Sequence, residues 1–282
     1  MIRTFQRPIK RIVVKLGSSQ IADAQMRPKT EQLYSLAEQI SQLRKTGIEV
    51  VLVSSGAIAL GMGELGETKR SMELAQLQAR AAIGQAALMR LYSELFRKVE
   101  LKCGQVLLTW DDFDNRGRFL NARHTLEAIL VKGVVPVINE NDTTSTEEIK
   151  FGDNDKLSAL VASFLHADLL VILSDVDGLY DNDKKVYDEI KDITPEIEGM
   201  AGGTKNIHMA RGGMKAKIDA VKIATHARTS CVITGGHIKD VLVRVVKGER
   251  IGTYFIEKKE KILDGDSEHE FIRSHFKNSK GG

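Results

Sequence analysis

Residues 11–19 read RIVVKLGSS, a run of β-branched residues that stops at a glycine and two serines. An apolar run bounded by such turn residues predicts a buried strand over Arg11–Leu16. Apolar residues then recur three or four positions apart over Lys29–Lys45, which predicts an amphipathic helix. Residues 49–56, EVVLVSSG, repeat the first pattern and predict a second strand over Glu49–Val53. Strand, helix and strand in this order indicate a βαβ unit with parallel strands.

The same alternation continues along the chain. Further strands are predicted at Gln105–Leu108, Val134–Ile138, Asp168–Leu173, Thr229–Thr234 and Gly252–Ile256. Helices are predicted at roughly Met72–Lys102, Arg116–Lys132, Asn154–Leu165, Gly213–Ala227 and Ile238–Lys247. Gly84 is expected to break the long helix, and Pro136 indicates an edge position or a local irregularity in its strand. A hairpin is expected within Asn139–Lys150. A polar loop is expected from the strand at Leu173 to about Met209. Apolar strands separated by helices favour an α/β fold, with a mostly parallel sheet covered on both faces.

Composition excludes several classes of protein. The 282 residues are 42% hydrophobic and 28% charged, with a net charge of +3, which rules out a collagen, a disordered tail protein and a disulfide scaffold. The charge is too small to argue for nucleic acid and is compatible with an anionic small substrate. Cys103 and Cys231 are expected to be reduced thiols. No signal-peptide core and no apolar span of about 20 residues is found, so a cytoplasmic, soluble protein without a membrane partner is expected.

Ligands of open parallel sheets bind at the carboxyl ends of the strands, and three predicted strand ends carry candidate groups. Lys15, before the Gly17–Ser19 turn, offers a positive charge suited to a phosphate, although no Walker A loop is present; the alternative is a solvated lysine. Ser55 ends the second strand, where small residues let a ligand approach, or it is a plain helix N-cap. Asp142, in the polar segment NENDTT, suits an ammonium group, or forms an Asx turn.

Two acidic segments follow. Residues 152–158, GDNDKLS, open a helix, where Asp and Asn are ordinary caps; Asp153 and Asp155 around Asn154 also suit the orientation of a lysine or of hydrated Mg²⁺. Residues 174–180, SDVDGLY, follow a buried strand, so that Ser174 and Asp175 either line a nucleotide site or belong to an acidic surface turn.

Residues 211–217, RGGMKAK, point more strongly to a bound ligand than any other single stretch. Two glycines open a predicted helix whose first turn carries Lys215 and Lys217, whereas the helix dipole favours acidic residues there. A bound anion would resolve this conflict. The sequence contains no HExxH, no GxSxG and no cysteine–histidine cluster with zinc spacing, and no metal ligands are assigned.

Together these segments resemble the amino acid kinase family, and within it the members that phosphorylate glutamate. The strings that carry the resemblance are VVKLGSS at 13–19, VSSGAIALG at 53–61, RFLNARHTL at 118–126, VPVINENDTT at 135–144, FGDNDKLSALVA at 151–162, SDVDGLY at 174–180 and GGMKAK at 212–217. They cover about residues 10–256 in the family's order, and INEND with GDNDKLSA is the most specific pair. The resemblance implies a three-layer α/β/α sandwich around a mostly parallel central sheet, assembled as dimers or tetramers.

The resemblance also implies an activity: transfer of the γ-phosphoryl group of ATP to the γ-carboxylate of L-glutamate with Mg²⁺, which opens proline biosynthesis and is often inhibited by proline. Lys15 and Lys217 would neutralise charge on the transferring group, and Asp155 would hold both lysines. Ser55, Asn154 and Asp142 would bind glutamate. ATP would be bound by Lys15, Ser174, Asp175, Arg211, Gly212, Gly213, Met214, Lys215, Ala216 and Lys217. Such a site agrees with phosphoryl transfer, which depends on positioning and charge stabilisation.

Two departures from the family pattern are visible. Arg211 stands where members often have a small residue (GTGGM), so its part in nucleotide binding is left open. The second departure concerns length. One kinase domain is expected over residues 1–256 and a charged tail over 257–282, and this tail is too short for the RNA-binding PUA domain that many bacterial members append. No nucleic-acid partner is therefore expected. The alternatives are another kinase of the family, such as an acetylglutamate or carbamate kinase, and a non-catalytic binder that senses an amino acid.

Overall fold

The structure is a computed structural model that describes residues 2–68, 73–144, 154–202, 213–258 and residue 270. Its strands are β1 (Arg11–Leu16), β2 (Glu49–Ser54), β3 (Cys103–Leu108), β4 (Val135–Glu140), β5 (Leu169–Ser174), β6 (Glu189–Ile190), β7 (Ser230–Gly235) and β8 (Thr253–Phe255). Its helices are α1 (Ser18–Ile21), α2 (Thr30–Lys45), α3 (Ala57–Glu64), α4 (Leu74–Lys98), α5 (Asp111–Asp114), α6 (Arg116–Val131), α7 (Asp155–Phe164), α8 (Pro195–Gly202), α9 (Met214–His226) and α10 (Val241–Val246).

The described strands form one eight-stranded sheet in the order β3-β4-β2-β1-β5-β7-β8-β6. All pairs are parallel except β7 with β8. The predicted mostly parallel sheet is therefore confirmed. Strand β1 lies at the centre, where Lys15 is in register with Val53 of β2 and Ile172 of β5, so this side chain leaves the sheet at a position flanked by strands on both sides.

Helices cover both faces of the sheet because the strand residues alternate between two cores. Val13 packs in a cluster with residues of α6, α7 and α9. Its neighbours Ile12 and Val14 pack in a second cluster, with residues of α2, α4 and α10. Successive side chains of a strand point to opposite faces, so the three-layer α/β/α sandwich expected from the resemblance is confirmed.

Three element predictions are wrong. Helix α4 runs through Gly84 without a break, because this glycine is where α4 packs against α3: a Cβ there would lie 1.7 Å from the Ala57 carbonyl oxygen. For Pro136 only the edge alternative is wrong, because β4 lies between β3 and β2. The alternative of a local irregularity agrees with the structure, in which the registered pairing of β4 with β2 begins only at Val137. The expected polar loop after β5 contains β6 and α8, two short elements with little apolar periodicity.

Other predictions fall partly outside the described residues. Asn139 and Glu140 extend β4 rather than begin a loop, while residues 145–150 of the expected hairpin lie outside the described part of the chain. The same holds for most of the tail at 257–282, so the proposed boundary near residue 256 stays a prediction. In the part of the chain that the structure describes, none of the helices combines the length and the hydropathy needed to cross a membrane.

Candidate active site

A buried cluster of two lysines and one aspartate lies at the carboxyl edge of the sheet. Asp155 is completely buried, and its carboxylate forms salt bridges through Oδ1 with Lys15 Nζ and through Oδ2 with Lys217 Nζ, the latter at 3.0 Å. The two lysine side chains are only 5% and 9% exposed. Two ammonium groups and one carboxylate carry one net positive charge, and in a buried site that charge acts more strongly than in water. The cluster can therefore attract and stabilise an anionic group.

The fold brings these three residues together from distant parts of the sequence. Lys15 points to the same face of β1 as Val13, which is the face covered by α7 and α9. Asp155 is the first residue of α7, and Lys217 lies in the first turn of α9. The alternative of a solvated lysine at a strand end is therefore wrong. Asp155 is not an ordinary helix cap either, because its carboxylate pairs with both lysines.

A cavity of about 630 Å³ opens at this edge of the sheet. Its lining includes Ser55, Asp142 and Asn154, the three residues predicted to bind glutamate. Ser18 and Ser19 of the turn after β1 line another part of the wall. The structure thus places the three predicted residues around a single space, although they come from three separate segments.

Ser55 lines this cavity and carries a buried hydroxyl without a hydrogen-bond partner among the described residues. The residue is 7% exposed. The N-cap of α3 is the next residue, Gly56, whose φ of 103° favours glycine, and α3 has no side-chain cap. The N-cap interpretation of Ser55 is therefore wrong. Because a buried hydroxyl without a partner is costly, its position fits a hydroxyl that hydrogen-bonds a bound ligand.

Asn154 is held by two hydrogen bonds. Its Nδ2 donates to the backbone oxygen of Ser54 at 2.9 Å and to Oδ1 of Asn139 at 2.7 Å. Asn139 was not singled out from the sequence as a site residue. The available signals were its place at the end of a strand and within the string INEND, three residues before Asp142.

The strand ends predicted to bind nucleotide lie on the other side of β1. Ser174 ends β5, and its Oγ donates to Asp175 Oδ1 at 3.0 Å. The backbone oxygen of Ser174 accepts hydrogen bonds from Gln20 Nε2 at 3.0 Å and from the Gly236 amide at 2.9 Å. Gln32 Nε2 in turn donates to the Gly236 oxygen at 3.1 Å and to Gln20 Oε1 at 2.6 Å. These two glutamines, which sequence reasoning missed, fasten the predicted nucleotide edge to α1 and α2.

Helix α9 begins as predicted at the glycine-rich stretch. Gly213 is its N-cap without a side-chain cap, and the first turn contains no acidic residue. Met214, Lys215 and Ala216 precede Lys217 in that turn. Of the predicted nucleotide residues, Arg211 and Gly212 lie outside the described residues. The conflict with the helix dipole persists in the structure, and an anion at this terminus would remove it.

Burial determines the protonation state of Tyr92 and of the two cysteines. The pKa of Tyr92 is raised above its usual range, chiefly because burial disfavours the phenolate, so its hydroxyl stays protonated and shares a 2.8 Å hydrogen bond with Ser54 Oγ. Burial also raises the pKa of the Cys103 and Cys231 thiols. A thiol is nucleophilic as the thiolate, so neither cysteine suits covalent catalysis.

The donor set fits a magnesium ion carried by a nucleotide rather than an ion held by the protein alone. Both carboxylate oxygens of Asp155 are engaged by lysines. Among the described residues, no group of three or more His, Cys, Asp or Glu side chains could hold a metal ion. Mg²⁺ is commonly bound by one or two carboxylates together with substrate phosphates, and Asp175, exposed at the end of β5, is available for that purpose.

Comparison with known proteins shows a family match over the part of the chain that contains the lysine cluster and the cavity residues. The model of the amino acid kinase family matches residues 10–235. Glutamate 5-kinase of Agrobacterium fabrum is 48% identical over 85% of this chain, that of Syntrophotalea carbinolica 49% identical over 88%, and that of Methanosarcina barkeri 43% identical over 90%. The chain spans 63%, 68% and 70% of the length of these three relatives, respectively.

A solved structure shares the fold. Carbamate kinase from Giardia lamblia bound to AMP-PNP superposes with a TM-score of 0.63 at 18% sequence identity, over 88% of this chain and 99% of that one. At this identity the likeness concerns the arrangement of strands and helices alone.

Proposed function

The chain belongs to the amino acid kinase family, and we propose that it transfers the γ-phosphoryl group of ATP to the γ-carboxylate of L-glutamate, giving γ-glutamyl phosphate and ADP. The observation that carries the proposal is the buried cluster of Lys15, Asp155 and Lys217. Asp155 is next in sequence to Asn154, which lines a cavity together with Ser55 and Asp142. The relatives named glutamate 5-kinase support the choice of glutamate. The product would enter proline biosynthesis.

Phosphoryl transfer to a carboxylate requires stabilisation of negative charge on the phosphoryl oxygens rather than a general base. A γ-carboxylate is already ionised at neutral pH, so no residue has to remove a proton from the nucleophile. Negative charge spreads over the oxygens of the transferring phosphoryl group. Lys15 and Lys217 would bind these oxygens, and Asp155 would hold both ammonium groups in place. Since the cluster is formed before the substrates arrive, little reorganisation is needed at the moment of transfer.

The cavity residues would orient glutamate. Asp142 would pair with the α-ammonium group, and the unused hydroxyl of Ser55 would donate to a carboxylate. Asn154, next in sequence to Asp155, would contact the same molecule and so link the substrate to the lysine cluster. A carboxylate held in this way faces the phosphoryl group in an orientation suited to in-line attack.

The nucleotide would lie along the ends of β5 and β7 and at the start of α9. Ser174, Asp175 and the stretch from Gly213 to Lys217 are the described residues assigned to it, with Arg211 and Gly212 completing the set. Mg²⁺ bound with ATP would neutralise phosphate charge. A cytoplasmic location, assembly as a homo-oligomer and inhibition by proline are part of the same proposal.

A comparison of three acceptors tests the substrate assignment. With ATP and Mg²⁺, we expect turnover of L-glutamate and very poor turnover of N-acetylglutamate, which lacks the ammonium group and adds bulk. L-Aspartate is one methylene shorter, and a misplacement of about 1 Å can cost about 10²-fold in rate. Asp142→Ala should raise the KM for glutamate and narrow the gap to N-acetylglutamate, because a site that pairs with a charged group rejects analogues lacking it.

The same comparison of phosphoryl acceptors distinguishes a glutamate kinase from another kinase of the family and from a non-catalytic binder. Preference of the wild-type protein for N-acetylglutamate or carbamate would overturn the glutamate assignment and leave the fold untouched. Binding of glutamate without any phosphoryl transfer would point to the non-catalytic binder instead.

A further inference from the structure

Gln85 of α4 is connected to the cavity by a chain of amide groups. Its Oε1 accepts a 2.8 Å hydrogen bond from Nδ2 of Asn139. Asn139 Oδ1 accepts from Nδ2 of Asn154 at 2.7 Å. Asn139 and Asn154 line the cavity, whereas Gln85 does not. Three side chains from α4, β4 and the start of α7 therefore form one relay that ends beside Asp155.

Two backbone groups fix the direction of this relay. The Glu140 amide donates to Asn139 Oδ1 at 2.9 Å, and a backbone N–H can only donate. The Ser54 carbonyl accepts from Asn154 Nδ2 at 2.9 Å, and a carbonyl can only accept. Each asparagine amide is thus oriented by a group whose role does not change. Asn139 must then direct its own NH₂ group toward Gln85, which is the acceptor that the structure provides.

The direction determines what Asn154 can offer to a ligand. An amide nitrogen has two hydrogens, and those of Asn154 are both used, on Ser54 and Asn139. The group left over is Oδ1, which only accepts hydrogen bonds. Asn154 therefore suits the ammonium group of an amino acid and not a carboxylate.

Resting on the proposed function, we propose that Gln85 is a positioning residue for substrate recognition: it holds Asn139 and, through it, keeps Asn154 Oδ1 directed at the α-ammonium group of glutamate. Gln85 does not line the cavity, and its hydrogen bond goes to Asn139. Its effect would reach the substrate only through the two asparagines.

The test compares Gln85→Met and Gln85→Glu. Methionine keeps the length of the side chain but removes the strong acceptor, leaving Asn139 Nδ2 buried without a partner. A buried donor left without a partner is costly and does not keep its orientation, and we expect kcat/KM for glutamate to fall about tenfold, mainly through KM. The KM for ATP should stay constant. Glutarate, which is glutamate without the ammonium group, should lose much less, so that the preference for glutamate over glutarate shrinks.

Gln85→Glu restores an acceptor oxygen and should return most of the glutamate preference. Gln76→Met is the matched control, because Gln76 is exposed on the same helix; it should behave as wild type. If Gln85→Met does not fold, Gln85→Ala is measured in its place, with calorimetric titration of glutamate as a second readout. An unchanged glutamate-to-glutarate ratio in the folded variant, or no rescue by Gln85→Glu, would overturn the role of Gln85. A wild-type protein that does not phosphorylate glutamate would instead overturn the proposed function.

Discussion

At the scale of single residues, the site depends on a carboxylate that serves two cations. Asp155 contacts both Lys15 and Lys217 from complete burial. Taking three charged groups out of water is costly, and their mutual attraction offsets this cost only while all three are present. The arrangement therefore makes the two lysines dependent on Asp155 for their position and for their tolerance of burial.

Replacing Lys217 with alanine should lower kcat by about 10²–10³, the usual effect of removing one group that stabilises transition-state charge. The affinity for ATP should change less. Steady-state kinetics with Lys222→Ala as control check this, since Lys222 lies on the same helix but pairs with Glu198. Lys15→Ala should behave like Lys217→Ala, and the double variant should show less than the summed loss because both lysines act on one group. Unchanged turnover in folded Lys217→Ala would remove this lysine from the mechanism.

Asp155→Asn should reduce both stability and turnover. The amide leaves two buried ammonium groups without a counter-charge, and breaking a buried ion pair in this way costs about 3–5 kcal/mol. Urea denaturation measures the loss, and kinetics should show a fall in kcat larger than the rise in the glutamate KM. A change confined to the glutamate KM would mean that Asp155 is a substrate ligand rather than the group that holds the lysines.

At the scale of elements, close contact between α3 and α4 shapes the cavity wall. Ala57, Ile58 and Met62 of α3 line the cavity, and α3 is placed by packing against α4. The contact requires glycine at Gly84 of α4, because a side chain there would meet the Ala57 carbonyl. Helix α4 thus contacts the wall of the cavity in two ways: it packs against α3 at Gly84, and its Gln85 hydrogen-bonds to Asn139.

Gly84→Ala should therefore destabilise the protein by about 1–3 kcal/mol, the usual cost of overpacking, and raise the glutamate KM by displacing α3. Gly199→Ala in α8 is the matched control, since no atom lies within 4 Å of its added Cβ. Alanine is favoured over glycine within a helix by about 0.5–1 kcal/mol, so the control should stabilise. Thermal unfolding of both variants measures the difference. Equal effects of the two substitutions would contradict the close packing of α3 on α4.

At the scale of the whole molecule, the chain after β8 contacts helix α9, where the Lys258 amide donates to the Thr225 oxygen. Glu257 follows β8 and is 9% exposed, and its Oε2 has no hydrogen-bond partner among the described residues. Burial raises the pKa of this carboxyl above its ordinary value of 4.5, an effect only partly offset by a backbone N–H and by Arg7 and Arg228. The folded state therefore binds the proton of Glu257 more tightly than the unfolded state does.

Because its pKa is raised in the folded state, Glu257 stabilises the fold at low pH. It lowers the stability once the carboxyl is ionised in both the folded and the unfolded state. Its contribution is fully present below pH 4.5, the ordinary value, and is lost as the pH rises through the folded-state pKa. Glu257→Gln should thus raise Tm at pH 8 by a few degrees, at about 2–4 °C for each kcal/mol in a chain of this size. The effect should vanish near pH 4. Glu249→Gln, at an exposed ion pair with Arg244, should shift Tm little. A stabilisation that is equal at both pH values would exclude burial of the charge as its cause.

The parallel α/β sheet follows from the sequence alone, because apolar runs that end in Gly and Ser and alternate with helical segments are local patterns. The sequence also predicted the residues of the lysine cluster and the cavity, through the strand ends and the family resemblance. The family resemblance implied that Asp155 holds Lys15 and Lys217, and the structure shows the three residues in contact. The residues alone did not imply this contact, since the face to which a strand residue points matters only once the helices are placed. Tertiary contacts also account for three further features: the unbroken α4, the interior position of Pro136 and the relay from Gln85. Each depends on contacts between residues far apart in the chain, and local propensity carries no information about such contacts.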